Sequence, residues 1–228
     1  MKEYETENPE KAFEADDEKM GHSDGGDMMI VRETPAYHAQ VNEYEKKTLE
    51  DYYSLPEDVR AELIDGRLYN MSAPSANHQL ILSALTIQIG LFLQRSKRKC
   101  KGFPAPFDVR LNRDDTTIVQ PDYMIICDKS KYEGGIRCEG APDLAVEIVS
   151  PSTQKRDYGV KLWKYKDAGV REYWIVDPLK MRIIVHTFEQ DAIPVVYSFD
   201  DTVASRIYPE LKIDFSEIKA ELIGGVIS

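Results

Sequence analysis

The stretch DLAVEIVSPSTQKRDYGVKLWKYKDAGVREYWIVDP, residues 143–178, decides how the rest of the chain is read. Its first part alternates. Leu144, Val146 and Ile148 share one face of a strand and Asp143, Ala145, Glu147 and Val149 the other, which lodges a carboxylate in an apolar element. A buried carboxylate is costly unless a cation or hydrogen bonds compensate it. Ser150-Pro151-Ser152-Thr153 then offers capping hydroxyls, Gln154 to Ala168 reads as a helix carrying Lys161, and Gly169 is a natural residue to follow its end. Glu172 to Val176 is the next strand.

Upstream, Val119-Gln120-Pro121-Asp122-Tyr123-Met124-Ile125-Ile126 brings a second acid into an apolar strand. Strands are expected over Gly102 to Leu111 and Ile118 to Cys127. The longest helix is expected from His78 to about Arg95, where apolar residues recur without a breaker. Before it, Asp65-Gly66 separates two apolar runs within Ala61 to Met71, a strong hairpin signal. Thr48 with Asp51 marks the start of a short helix stopped by Pro56. Downstream, Arg182 to Phe188 and Val195 to Phe199 complete a meander. Strands separated by single helices imply an α/β or α+β fold, a mixed β-sheet flanked by helices.

The charge is uneven: residues 1–33 hold eleven acids against Lys2, Lys11, Lys19 and Arg32, while the whole chain carries −11. The organisation expected is a disordered acidic tail over 1–35 and one domain over 36–228, the tail being too poor in aliphatic side chains to offset its ordering entropy. The 42% apolar content suffices for a core. No apolar run approaches the roughly 18 residues of a membrane span, so no membrane partner is expected and the cytoplasm is the default location. Cys100, Cys127 and Cys138 form no CxxC pair and are expected as reduced thiols; four histidines make a zinc site unattractive. The positive run from Arg95 to Lys101 suits the negative end of a helix dipole or, alternatively, a phosphate backbone.

Asp122 and Glu147 supply hard oxygen ligands of the kind Mg²⁺ needs for phosphodiester hydrolysis, and Lys161 supplies a cation that could orient water or stabilise developing negative charge. Asp157, one turn before Lys161, would pair with it or position it. Pro121-Asp122, Glu147, Ser150 to Thr153, Asp157, Lys161 and Gly169 to Pro178, with Glu62 to Gly66 and Ala105 to Leu111, resemble the Uma-type restriction endonuclease family of the PD-(D/E)xK nuclease superfamily. That resemblance runs from about Thr48 to Phe188. It implies a restriction-endonuclease-like fold, a DNA substrate, Mg²⁺ or Mn²⁺ as cofactor, a homodimer, and Asp122, Glu147, Lys161 and Glu62 as catalytic residues, with Asp122, Glu147 and Glu62 as metal ligands. One departure is visible. Val149 stands where the superfamily's usual lysine would follow the acid, so the resemblance relocates that role to Lys161.

Each residue also has a plainer reading. Glu147 could sit in a structural ion pair, Asp122 at a strand end, Lys161 in solvent, and Tyr165, Tyr173 and Trp174 in the core. His78 could cap or pack at its helix start, and Asp108 could stand behind the site. The competing function is a catalytically inactive nuclease-fold protein acting as an interaction module, a reading that the net negative charge keeps open because a polyanion is not attracted at long range. Gly134-Gly135 and Gly224-Gly225 lack the surroundings of a phosphate loop.

Overall fold

The computed structural model describes residues 45–189 and 192–223. The described residues belong to one compact unit, and the acidic tail expected over 1–35 lies outside the described residues. Helix α1 (Leu49–Tyr53) opens as expected: the Thr48 side chain accepts from the Asp51 N–H while the Asp51 carboxylate accepts from the Thr48 N–H. Strands β1 (Ala61–Ile64) and β2 (Arg67–Asn70) pair antiparallel with Ile64 opposite Arg67. Asp65 and Gly66 between them have φ of 51° and 79°, the left-handed pair that a two-residue hairpin requires. Helix α2 (Ala76–Arg95) follows, its Ser75 cap accepting from the His78 N–H.

The two long strands expected at 102–111 and 118–127 are each split. Strands β3 (Lys101–Pro104), β4 (Val109–Arg110), β5 (Ile118–Val119) and β6 (Tyr123–Ile126) take their places. Pro104, Pro106 and Pro121 cannot donate to a ladder, and at those points the halves part to different sheets. After β7 (Cys138–Glu139) and β8 (Leu144–Ile148), helix α3 (Lys161–Ala168) is preceded by a π-helical turn over Arg156–Val160 and ends at Gly169 with φ of 89°. Then come β9 (Glu172–Asp177), β10 (Arg182–Thr187), β11 (Val195–Ser198), β12 (Thr202–Ala204), β13 (Lys212–Asp214) and α4 (Phe215–Glu221). The last three are too short for their periodicity to show in the sequence.

The main sheet has the order β11-β10-β9-β8-β6-β3, with β8 and β9 parallel and the other pairs antiparallel. A second, five-stranded sheet runs β2-β1-β5-β4-β7. Leu144, Val146 and Ile148 of β8 pack with α2 residues such as Ile81, Leu85 and Ile89. Ala145 of the same strand packs on the opposite face with Tyr165 of α3 and with Ile64 and Val119 of the second sheet. Glu147 shares that second face, so the alternation read from the sequence aims it between α3 and the second sheet. Helix α2, at 20 residues, is long and apolar enough by length and composition to cross a membrane; here Ile81, Leu82, Leu85, Ile89 and Leu93 are buried in the core.

The cysteine expectation needs correction. Cys100 and Cys127 form a disulfide, and only Cys138 remains a free, buried thiol. The partners are 27 residues apart in sequence; the β3–β6 register, with Lys101 opposite Ile126, places them opposite one another as the next pair. Spacing alone carries no trace of that register.

Two buried acids, Glu172 and Asp177, lie outside the candidate site. Glu172 is fully buried and accepts from Trp174 Nε1 at 2.7 Å, from the Arg206 N–H at 2.7 Å and from the Ile207 N–H at 3.1 Å. Glu172→Ala leaves those donors unpaired and should cost about 3 kcal/mol. The check is a lower urea midpoint at unchanged m-value.

Candidate active site

Four acids reach one region from four separate segments. Strand β1 is buried along its whole length, and Glu62 shares its face with Ile64, which packs toward the main sheet. The backbone N–H of Gln120 donates to Glu62 Oε1 at 2.9 Å, fixing the carboxylate beside the Pro121-Asp122 corner. Glu147 comes from β8. Asp122, at the entrance to β6, accepts at Oδ2 from the Ile148 N–H at 2.7 Å, so it is tied to the strand that carries Glu147. Asp157 comes from the π-helical turn, a distortion that often marks functional positions.

Lys161 stands among these acids. Its Nζ lies 2.8 Å from Glu62 Oε1, 2.9 Å from Glu147 Oε1 and 3.8 Å from Asp157 Oδ1, and its side chain is 2% exposed. Burial alone would push the ammonium's pKa down, but Glu147, Glu62 and Asp157 together hold it above its ordinary value. Glu147 is pushed well up by burial, against the pull of Lys161 and with the like charges of Asp157, Asp122 and Glu62. The two directions agree physically: the lysine stays charged, and Glu147, buried and crowded by like charges, favours retaining a proton. Tyr165 OH donates to Glu147 Oε1 at 2.6 Å. Its own acidity is suppressed by burial and by that carboxylate.

The structure thus brings Glu62, Glu147 and Lys161 into direct contact and joins Asp122 to them through the β8 backbone. Asp157 faces Lys161, as its position one turn earlier suggested. Tyr173 and Trp174 are core residues with no exposed surface. Asp108 stands behind the site: it accepts from Gln120 Nε2 at 2.8 Å and from Tyr52 OH at 3.0 Å, steadying the residue whose N–H holds Glu62. Two contributions escaped the sequence reading. His78 Nε2 lies 3.1 Å from Asp122 Oδ1, and Tyr165 is a hydrogen-bond donor to Glu147 rather than only a core residue. A histidine in the first turn of a helix after a serine cap reads as a terminus residue, and nothing local shows that the helix start abuts Asp122.

Accessibility is graded. The side chains of His78 and Asp122 are 13% and 14% exposed, against 2% for Lys161 and 5% for Glu147, so the site opens on the Asp122 side. A divalent cation would find hard oxygen donors there, and its charge would answer an imbalance that the protein leaves standing: four carboxylates against one ammonium. Both Asp157 oxygens are buried with no hydrogen-bond partner among the described residues. Among those residues no three acidic, imidazole or thiol groups already stand close enough to enclose an ion. The Lys161 ammonium fills the space between Glu62 and Glu147.

The imbalance has a measurable consequence. Burial holds the Asp157 carboxyl at about 6 against an ordinary 3.8, although Lys161 pulls the other way. A folded pKa above the unfolded one means that the native chain binds more protons within that window. Stability contributed by this group therefore falls as pH rises from 3.8 to about 6 and stays lower above it. Asp157→Asn should raise stability at pH 7 by roughly 3 kcal/mol at most. The gain should vanish near pH 4, as read from urea midpoints at the two pH values.

The sequence matches the family model Uma2, described as "Putative restriction endonuclease", over residues 49–216. No curated protein matches the chain. Among solved structures, one described as a putative nuclease belonging to DUF820 from Anabaena variabilis ATCC 29413 is similar, with a TM-score of 0.62 and 20% identity, covering 76% of this chain and 97% of that one. A likeness at that identity speaks for the fold. The family match runs from α1 into α4 and takes in Glu62, Asp122, Glu147 and Lys161, and the chain belongs to the Uma2 family.

Proposed function

We propose that this protein is a divalent-metal-dependent endonuclease that hydrolyses DNA phosphodiester bonds. The single observation that carries the proposal is the buried acid cluster, with Glu62 and Glu147 converging on Lys161 within 2.9 Å and Asp122 bonded to the neighbouring backbone. Asp122, Glu147 and Glu62 would hold Mg²⁺ or Mn²⁺, which supplies charge neutralisation at the phosphoryl oxygens and a more acidic water. The protein's own groups do the positioning. The Ile148 N–H and His78 fix the two Asp122 oxygens, while Tyr165 and Lys161 hold Glu147 Oε1 and leave its second oxygen for other work.

Lys161 acts through the carboxylate it grips. With almost no exposed surface, it keeps Glu147 oriented and contributes positive charge against an incoming phosphate. Two copies acting together, one on each strand, would give double-strand cleavage; the family resemblance supports that part of the proposal. The test is conversion of supercoiled plasmid to nicked or linear form in Mg²⁺ or Mn²⁺, with EDTA as the blank. Wild type should cleave and Glu147→Gln should not. Equal cleavage by both proteins, or none by wild type with either metal, would sink the assignment.

A further inference from the structure

The basic run at the end of α2 plays no part in the acid cluster, and it continues into a hollow. Five of the seven residues from Arg95 to Lys101 are Lys or Arg in a chain of net charge −11. Beside them is a cavity of about 800 Å³ whose lining includes Lys99, Lys101, Phe103, Asp128, Lys129 and Tyr132. Lys99, Lys101 and Lys129 are exposed, and none of the three makes an ion pair among the described residues. The one acid, Asp128, spends Oδ1 on the N–H and hydroxyl of Ser130. The floor is aromatic: Phe103 lies 5.0 Å from Phe107 and 5.0 Å from Tyr132, ring centre to ring centre. Both Phe103 and Tyr132 are only half-buried.

The β3–β6 ribbon runs from the hollow toward the candidate site. Phe103 is opposite Met124 and Lys101 opposite Ile126 in the β3–β6 pair. Since side chains alternate, Lys101, Phe103 and Asp122 share one face of the main sheet. The ribbon's other end is at Asp122, whose C=O accepts from the Ala105 N–H at 2.9 Å. Ala105 and Lys101 are about 14 Å apart along an extended strand, roughly four steps of a stacked polynucleotide strand.

We infer that this hollow is an accessory site for single-stranded nucleic acid, binding the part of the substrate that extends away from the cleaved bond. The ligand class rests on the nuclease reading; the choice of a single strand rests on the hollow itself. Lysines without carboxylate partners take phosphates by releasing counterions. Partly open aromatic rings offer stacking to bases, and only unpaired bases can present a ring face to them. A duplex would use the lysines alone.

The test is fluorescence anisotropy of the full chain with a labelled 15-nucleotide oligothymidylate and with a 15-base-pair duplex, in EDTA so that nothing is cut. The single strand should bind more tightly than the duplex. Replacing Lys99, Lys101 and Lys129 together by alanine should weaken single-strand binding at least about tenfold at low salt and flatten the log–log salt dependence by about 2, at 0.7 per lost phosphate contact. Because these side chains are exposed, the triple variant should melt as wild type does. Tyr132→Leu, which keeps an apolar contact but no ring face, should weaken the single strand and leave the duplex unchanged.

Absent single-strand binding, an unchanged salt slope in the triple variant, or a duplex held as tightly as the single strand would overturn the inference. The Glu147→Gln protein should bind like wild type without cleaving. Lysine-dependent binding with no cleavage by wild type would overturn the nuclease reading and leave this site standing.

Discussion

Lys161→Met should lower the free energy of unfolding by about 3–5 kcal/mol, the range for removing one partner of a buried ion pair. The methionine matches much of the lysine's length but leaves Glu62 and Glu147 without the ammonium that lies 2.8 and 2.9 Å from them. For a domain of this size each kcal/mol moves the melting temperature by roughly 2–4 °C, so a fall on the order of 10 °C is expected at neutral pH. Because the cost is that of buried, uncompensated like charge, it should shrink as pH falls and the stranded acids take up protons. Thermal melts of Lys161→Met and of the Glu62→Gln/Glu147→Gln/Lys161→Met combination decide the matter. The combination should recover most of the loss; a lone variant as stable as wild type would show that the ammonium is not balancing these acids.

Glu147→Gln should show the opposite division between activity and stability. It removes a carboxylate from a cluster that already has more acids than cations, so the melting temperature should hold or rise slightly. Cleavage should fall about 10³-fold, the equivalent of roughly 4 kcal/mol of charge stabilisation at the phosphoryl group. Asp122→Asn should lose activity to a similar degree, since its Oδ2 bond to the Ile148 N–H orients it beside the same strand end. Initial rates of plasmid nicking at saturating Mn²⁺ measure both. A rate within tenfold of wild type for either variant would remove that carboxylate from the proposed machinery, and a large drop in melting temperature would reassign it to the fold.

Several parts of the site were legible because they depend on neighbours in sequence. The alternation within Leu144–Ile148 placed Glu147 on one face of its strand, and that face does meet α3 and the second sheet. Asp157 and Lys161 are four residues apart, one turn, and they face each other at 3.8 Å. Asp65-Gly66 and Gly169 took the left-handed conformations their turns demand. Other parts depended on partners far along the chain. The Gln120 N–H that fixes Glu62, the Tyr165 hydroxyl on Glu147 and the His78 imidazole on Asp122 all join segments brought together by sheet order and helix packing.

The sequence by itself determined that the strand around Glu147 is apolar and turns its acid to one face, and that Asp157 and Lys161 stand one turn apart, since period and chain punctuation are local steric properties. Only the tertiary structure decided that Glu62 and Glu147 would share one lysine, that Cys100 would meet Cys127, and that α2 would lie against a sheet. Those outcomes follow from strand register and layer packing, which balance burial over the whole domain and leave no signature at any one residue.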